Sequence, residues 1–138
     1  MKILLDTNIL IWVTASPEKV PENILHQIQD TKNTIFFSAA SIWEIAIKHT
    51  FGKPDFFFNP LIIHQALVEN NYTELPITSN HAIAIQHLQK IHKDPFDRML
   101  IAQAIAENML LMTADQTIVK YPAPVLFVNR ADCQQKLV

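Results

Sequence analysis

Short apolar runs of strand length alternate along this chain with longer stretches in which apolar residues return every three to four positions. KILLD (residues 2 to 6) is the first run, and Thr7-Asn8 makes a good helix-cap pair before ILIWVTA, so a strand followed by a helix is expected. Pro17 and Pro21 bracket a loop, and PENILHQIQD has amphipathic helical spacing with Pro21 near its first position. TIFFS (34 to 38) is β-branched and aromatic and leads into SIWEIAIKHTF, where Ser41-x-x-Glu44 fits a capping box. PLIIHQALVENN reads as a helix, TELPI as a short strand, and SNHAIAIQHLQKIH as a helix capped by Ser79 or Asn80. The helix of HKDPFDRMLIAQAIAEN follows. MLLMTAD (109 to 115) is a buried-type strand ending in an acid, QTIVKY a short helical turn, and PVLFVN the last strand.

Strands separated by helices predict a parallel sheet with helices on both faces. Sites in such sheets form beyond the carboxyl ends of the strands, where the strand order switches. Asp6 falls at the end of the first strand, Asp115 just past MLLMT, and Glu44 one turn into the helix after TIFFS. Asp97 is less easily placed. If its helix begins near Asp94, Asp97 shares a face with Leu100, Ile101 and Ala104, where a core residue belongs.

The length, 138 residues, suits one domain spanning 1–138, and 49% hydrophobic with 17% charged residues describes a globular chain. No apolar run reaches the roughly 20 residues that cross a bilayer, and MKILLD turns acidic too soon for a signal peptide, so a cytoplasmic protein without membrane contact is expected. A net charge of −2 gives no global attraction for nucleic acid, so a polyanion would have to be held locally. The only glycine, Gly52, excludes glycine-rich phosphate loops and with them NTPases and dinucleotide enzymes. The only cysteine, Cys133, has no disulfide partner and reads as an incidental thiol. FGKPDFFFNP is a connector whose Phe56, Phe57 and Phe58 belong either to the core or to a partner surface.

Each acid has an ordinary explanation. Asp94 before Pro95 is a helix cap, and Asp97 gains from free N–H groups in the first turn. Glu44 can pair with Lys48 at i, i+4, while Asp6 and Asp115 can cap the elements behind them. The gathering of Asp6 and Asp115 at one edge has no such explanation, because like charges brought together repel unless a cation joins them. Hard divalent ions, Mg²⁺ or Mn²⁺, provide that compensation. The six histidines show no HExxH-like spacing and read as surface or helix residues outside this scheme.

ILLDTNIL, SIWEIAIK, DPFDRMLIAQA and LLMTAD, in this order over nearly the whole chain, resemble a PIN-domain ribonuclease of the VapC toxin type, with DPFDRMLIAQA the most specific piece. The resemblance implies a three-layer α/β/α sandwich around a parallel sheet of about five strands, and an Mg²⁺- or Mn²⁺-dependent endoribonuclease leaving 5′-phosphate and 3′-hydroxyl ends. Asp6, Glu44, Asp97 and Asp115 match its acidic site, and Thr7, Asn8 and Thr113 the polar positions beside it. Asp6 and Asp97 would bind the ion most directly, with Glu44 and Asp115 holding a second ion or ordering its waters. Lys48 and Arg98 are candidates for contact with the RNA backbone. A cognate antitoxin and a homodimer are implied as partners, with Trp12, Trp43 and Phe56–Phe58 as candidate surfaces, although core packing suits the tryptophans better. A non-catalytic module that grips RNA or protein without cutting is the competing reading.

Overall fold

A computed structural model describes residues 1–52 and 56–129. Cys133 and the Lys53–Asp55 part of the phenylalanine connector lie outside them. Five strands, β1 (Lys2–Leu5), β2 (Thr34–Ser38), β3 (Thr73–Leu75), β4 (Leu110–Thr113) and β5 (Val125–Phe127), form one sheet in the order β3-β2-β1-β4-β5, with every neighbouring pair parallel. Parallel neighbours require crossovers, which α1 (Thr7–Ala15), α2 (Glu22–Gln29), α3 (Ala39–Phe51), α4 (Pro60–Glu69), α5 (Ser79–Ala84) and α6 (Pro95–Ala106) provide as far as β4, with only a 3₁₀ turn between β4 and β5.

The pleat of β1 divides the core. Ile3 and Leu5 point to one face and pack with Ile9, Leu10, Ile24, Ile45, Ile63 and Leu67 from α1 to α4. Leu4 points to the other and meets Leu100, Ile101 and Ala104 of α6. The result is the expected three-layer α/β/α sandwich on a five-stranded parallel sheet. No helix among the described residues is long and apolar enough to cross a membrane.

Local differences from the sequence reading have local causes. Asp6, rather than Thr7-Asn8, caps α1. Ser38 caps α3, which starts three residues earlier than the Ser41–Glu44 box required, so Ser41 lies inside the helix. The stretch from Ser79 is capped by Thr78 and gives only α5 and a 3₁₀ turn, Ile85–His87. The segment after β4 likewise closes as a 3₁₀ turn, Ile118–Lys120. With one glycine in the sequence, α4 and α6 end on asparagines in the left-handed region, Asn71 (φ 63°) and Asn108 (φ 54°), the usual substitute at that position. The phenylalanine cluster is divided: Phe56 and Phe58 pack against the core, edge to face at 5.3 Å, while Phe57 is exposed. Of the tryptophans, Trp12 packs on the core but Trp43, expected there too, is 58% exposed and meets only the edge of Phe96 among the described ring contacts.

Candidate active site

The chain builds β1, β2 and β3 in one direction from the centre of the sheet and returns to add β4 and β5 on the other side, so the strand order switches between β1 and β4. Crevices open at such points. Asp6 ends β1 there, with its N–H donating to the Met112 carbonyl at 3.0 Å. Its Oδ1 accepts from the N–H of Ile9 at 3.0 Å and its Oδ2 from the Thr113 hydroxyl of β4. Only 4% exposed, Asp6 has its carboxyl pushed up to about 6 by burial, against the pull of the Thr113, Ile9 and Asn8 hydrogen bonds and with help from the Asp115 charge. Thr7, also buried, donates to Ser41 Oγ at 3.0 Å and so ties α1 to α3. Asn8 is exposed on the first turn of α1.

Asp97 arrives through α6. A helix feeding a parallel strand runs back across the sheet, so its first turn stands near the carboxyl ends of the strands. Asp94 caps it as expected, its Oδ1 accepting from the N–H groups of Phe96 (2.8 Å) and Asp97 (3.1 Å). That leaves the Asp97 side chain free to turn toward the other acids. Burial first, then repulsion from Asp94, Glu44 and Asp6, pushes its carboxyl up to about 7, although His92 pulls the other way.

Glu44 reaches the same region from α3, buried to 6% exposure. Its Oε2 accepts from Lys48 Nζ at 2.8 Å, the expected i, i+4 pair. Its Oε1 is buried without a hydrogen-bond partner. Asp115 follows β4: its N–H donates to the Thr113 hydroxyl at 3.0 Å, and its Oδ1 accepts from the Thr117 N–H at 2.8 Å. Burial works to raise its carboxyl, but the Thr117 and His92 hydrogen bonds and the His92 charge together hold it below the usual value.

Histidine does enter the site, contrary to the sequence reading. His92 Nε2 lies 2.9 Å from Asp97 Oδ2 and 3.1 Å from Asp115 Oδ2. Its Nδ1 accepts from the Asp94 N–H at 3.3 Å, which leaves Nε2 to carry the proton shared with the two carboxylates. Residue spacing concealed this, because His92 precedes α6 and no helical periodicity reaches it. The only hint was its position two residues before the Asp94 cap. Arg98, a candidate for contact with the RNA backbone, donates through its guanidinium to the carbonyls of Gln89 (2.9 Å), His92 (3.3 Å) and Ile85 (3.4 Å) and to the Tyr121 hydroxyl (3.2 Å). It straps the 85–92 segment to α6 and thereby seats His92. Lys48, half exposed beside Glu44, keeps its ammonium at the rim.

The donor set suits a hard divalent cation. One ligand atom from each of His92, Asp97 and Asp115 lies within 4.8 Å of the other two. Asp6 and Glu44 stand close enough to raise the Asp97 carboxyl. A buried carboxylate oxygen without a donor, such as Glu44 Oε1, is costly unless a cation or an ordered water meets it. Carboxylate oxygens with an optional imidazole are ligands that Mg²⁺ and Mn²⁺ accept.

A family model described as PIN domain matches residues 3–124. Among solved structures, VapBC2 from Rickettsia felis bound to a DNA fragment from their promoter aligns with a TM-score of 0.71 at 16% identity, covering 94% of this chain and 100% of that one. DNA-bound VapBC from Salmonella typhimurium gives 0.68 at 17% identity over 92% and 98% of the two chains. VapBC-1 from nontypeable Haemophilus influenzae gives 0.61 at 19% identity, again over 92% and 98%. At these identities the likeness is one of fold. No curated protein matches the chain.

Proposed function

Because the chain belongs to the PIN domain family, we propose that it is a divalent-metal-dependent endoribonuclease and the toxin of a toxin–antitoxin pair. The observation that carries the reading is the convergence at the β1/β4 switch point of four carboxylates from four separate segments, one with an unpartnered buried oxygen. Asp6, Asp97, Glu44 and Asp115 would hold the ion, with His92 at their edge. When bound, such an ion supplies a polarised water for in-line attack on phosphorus and offsets charge building on the phosphoryl oxygens.

The residues of the chain have separable tasks in this scheme. Thr113, by donating to Asp6 and accepting from the Asp115 N–H, sets two acids relative to each other. His92 holds Asp97 and Asp115 together through Nε2. Lys48 fixes one oxygen of Glu44 and leaves the other pointing inward. The net charge of −2 leaves attraction of RNA to local contacts. The likeness to chains of VapBC complexes supports an antitoxin partner, and with it we propose a homodimer acting on RNA in the cytoplasm.

Incubation of structured RNA with the protein and Mg²⁺ or Mn²⁺ tests the proposal. Cleavage that disappears with EDTA and drops at least about 100-fold in Asp6→Asn or Asp97→Asn is expected. Cleavage that persists unchanged in both variants removes the mechanism. RNA binding without cleavage or metal uptake would favour the non-catalytic module.

A further inference from the structure

Beside the acidic cluster the carboxyl ends of β4 and β5 and the first turns of α1 line a half-open cavity of about 570 Å³. Asn8 and Trp12, four residues apart on α1, share the helix face that lines it. Gln116 follows β4, Phe127 ends β5 in register with Thr113, and Asn129 lies two residues further on. Asp115, which belongs to the acidic cluster, also forms part of this wall, so the two sites adjoin. We infer that this cavity is a nucleobase subsite, taking one unpaired base of single-stranded RNA against the Trp12 and Phe127 rings with the Asn8, Gln116 and Asn129 carboxamides at its edge.

The chemistry of the lining selects this occupant. Among the described residues its one charged group is the Asp115 carboxylate, which without a bound ion repels a phosphate and tolerates a neutral base. Aromatic faces stack with any base, and carboxamides both donate and accept, as the edge of an unpaired base requires. An apolar protein side chain entering the cavity would offer the Asn8 and Gln116 carboxamides nothing to hydrogen-bond. The volume lies within the range of about 300–1,000 Å³ typical of small-molecule sites and accommodates one nucleotide. Stacking also provides local affinity that does not depend on a positive field, as a chain of net charge −2 needs.

The inference rests on RNA being the substrate, and its test separates the two. Trp12 and Trp43 are the only tryptophans, so Trp43→Phe leaves Trp12 as the sole indole reporter. Carrying Asp97→Asn to prevent cleavage, this variant is titrated in EDTA with single-stranded RNA tetranucleotides, intact or abasic at one of the four positions. Saturable quenching of Trp12 is expected, together with a loss of about 5- to 100-fold in affinity when one particular position is abasic. Gln116→Ala and Phe127→Ala should lose affinity to a comparable degree. Phe127→Leu, which keeps apolar bulk at the end of β5, should do so as well. In the cleaving protein Gln116→Ala should relax the base preference at one position near the cut. Equal affinity for all abasic oligonucleotides, or for the Phe127→Leu and Gln116→Ala variants, overturns the subsite. So does unchanged RNA affinity in variants that lose a co-purifying protein partner, since the cavity would then be a protein surface. If stacking is seen without metal-dependent cleavage, the nuclease reading fails and the subsite stands.

Discussion

Asp6 and Asp97 are acids whose surroundings disfavour their charge, and the sign of that effect makes it measurable. Their carboxyls sit at about 6 and about 7 against an ordinary 3.8. A raised carboxyl means that the folded state binds its proton more tightly than the unfolded state, so the contribution to stability is complete below about pH 3.8 and is lost as pH rises through 6 and 7. Urea unfolding in EDTA should show this part of the stability falling between pH 4.5 and 7.5, and Asp97→Asn should flatten the slope. At pH 7.5 that variant should be more stable than the parent without metal, by on the order of 1 kcal/mol, while losing activity. A parent whose stability in EDTA does not change across that interval, or an Asp97→Asn protein with the same slope, would contradict the assignment. For Glu44, whose Oε1 is unpartnered, Glu44→Gln should weaken Mn²⁺ binding by roughly tenfold or more in calorimetry.

The helices position these residues through a few contacts of their own. Gln103 on α6 is fully buried, accepts from Ser38 Oγ at the end of β2 (2.6 Å) and donates to the Pro76 carbonyl (3.3 Å). It also meets Nδ1 of His81, whose Nε2 lies 2.8 Å from Glu107. Such a network is satisfied only as a whole, so Gln103→Ala should cost about 1–3 kcal/mol in denaturant unfolding and loosen α6, the helix that carries Asp97. At the end of α3 a Cβ on Gly52 would run into the carbonyl oxygen of Lys48. Gly52→Ala should therefore open the last turn of the helix and lower the melting temperature. Because Lys48 lies in that turn, its pairing with Glu44 should weaken too. A Gly52→Ala protein that melts with the parent would show that the turn gives way freely. The ends of the elements were only partly readable, because caps at Asp6, Ser38 and Thr78 compete with neighbouring polar residues of similar quality, and tertiary packing chooses among them.

At the scale of the whole molecule, a ligand that binds only the folded state stabilises it by mass action. Mn²⁺ at 100 times its dissociation constant should add about 2.7 kcal/mol, and EDTA should remove it. A melting temperature unchanged by Mn²⁺ at pH 7.5 would mean that the acids hold no ion. The sequence by itself determined the alternation of strands and helices, the parallel sheet and the carboxyl-edge positions of Asp6, Glu44 and Asp115, because hydrophobic period and element order are local properties that chain connectivity turns into topology. It also determined the Asp94 cap and the resemblance carried by DPFDRMLIAQA. Only the tertiary structure decided that His92 joins Asp97 and Asp115, that Arg98 seats the 85–92 segment, and that Trp43 is exposed. The cavity joining α1 to the ends of β4 and β5 emerged in the same way. These contacts link residues far apart in the chain, or outside any periodic element, and side chains of that kind find their partners only once the backbone has been folded around them.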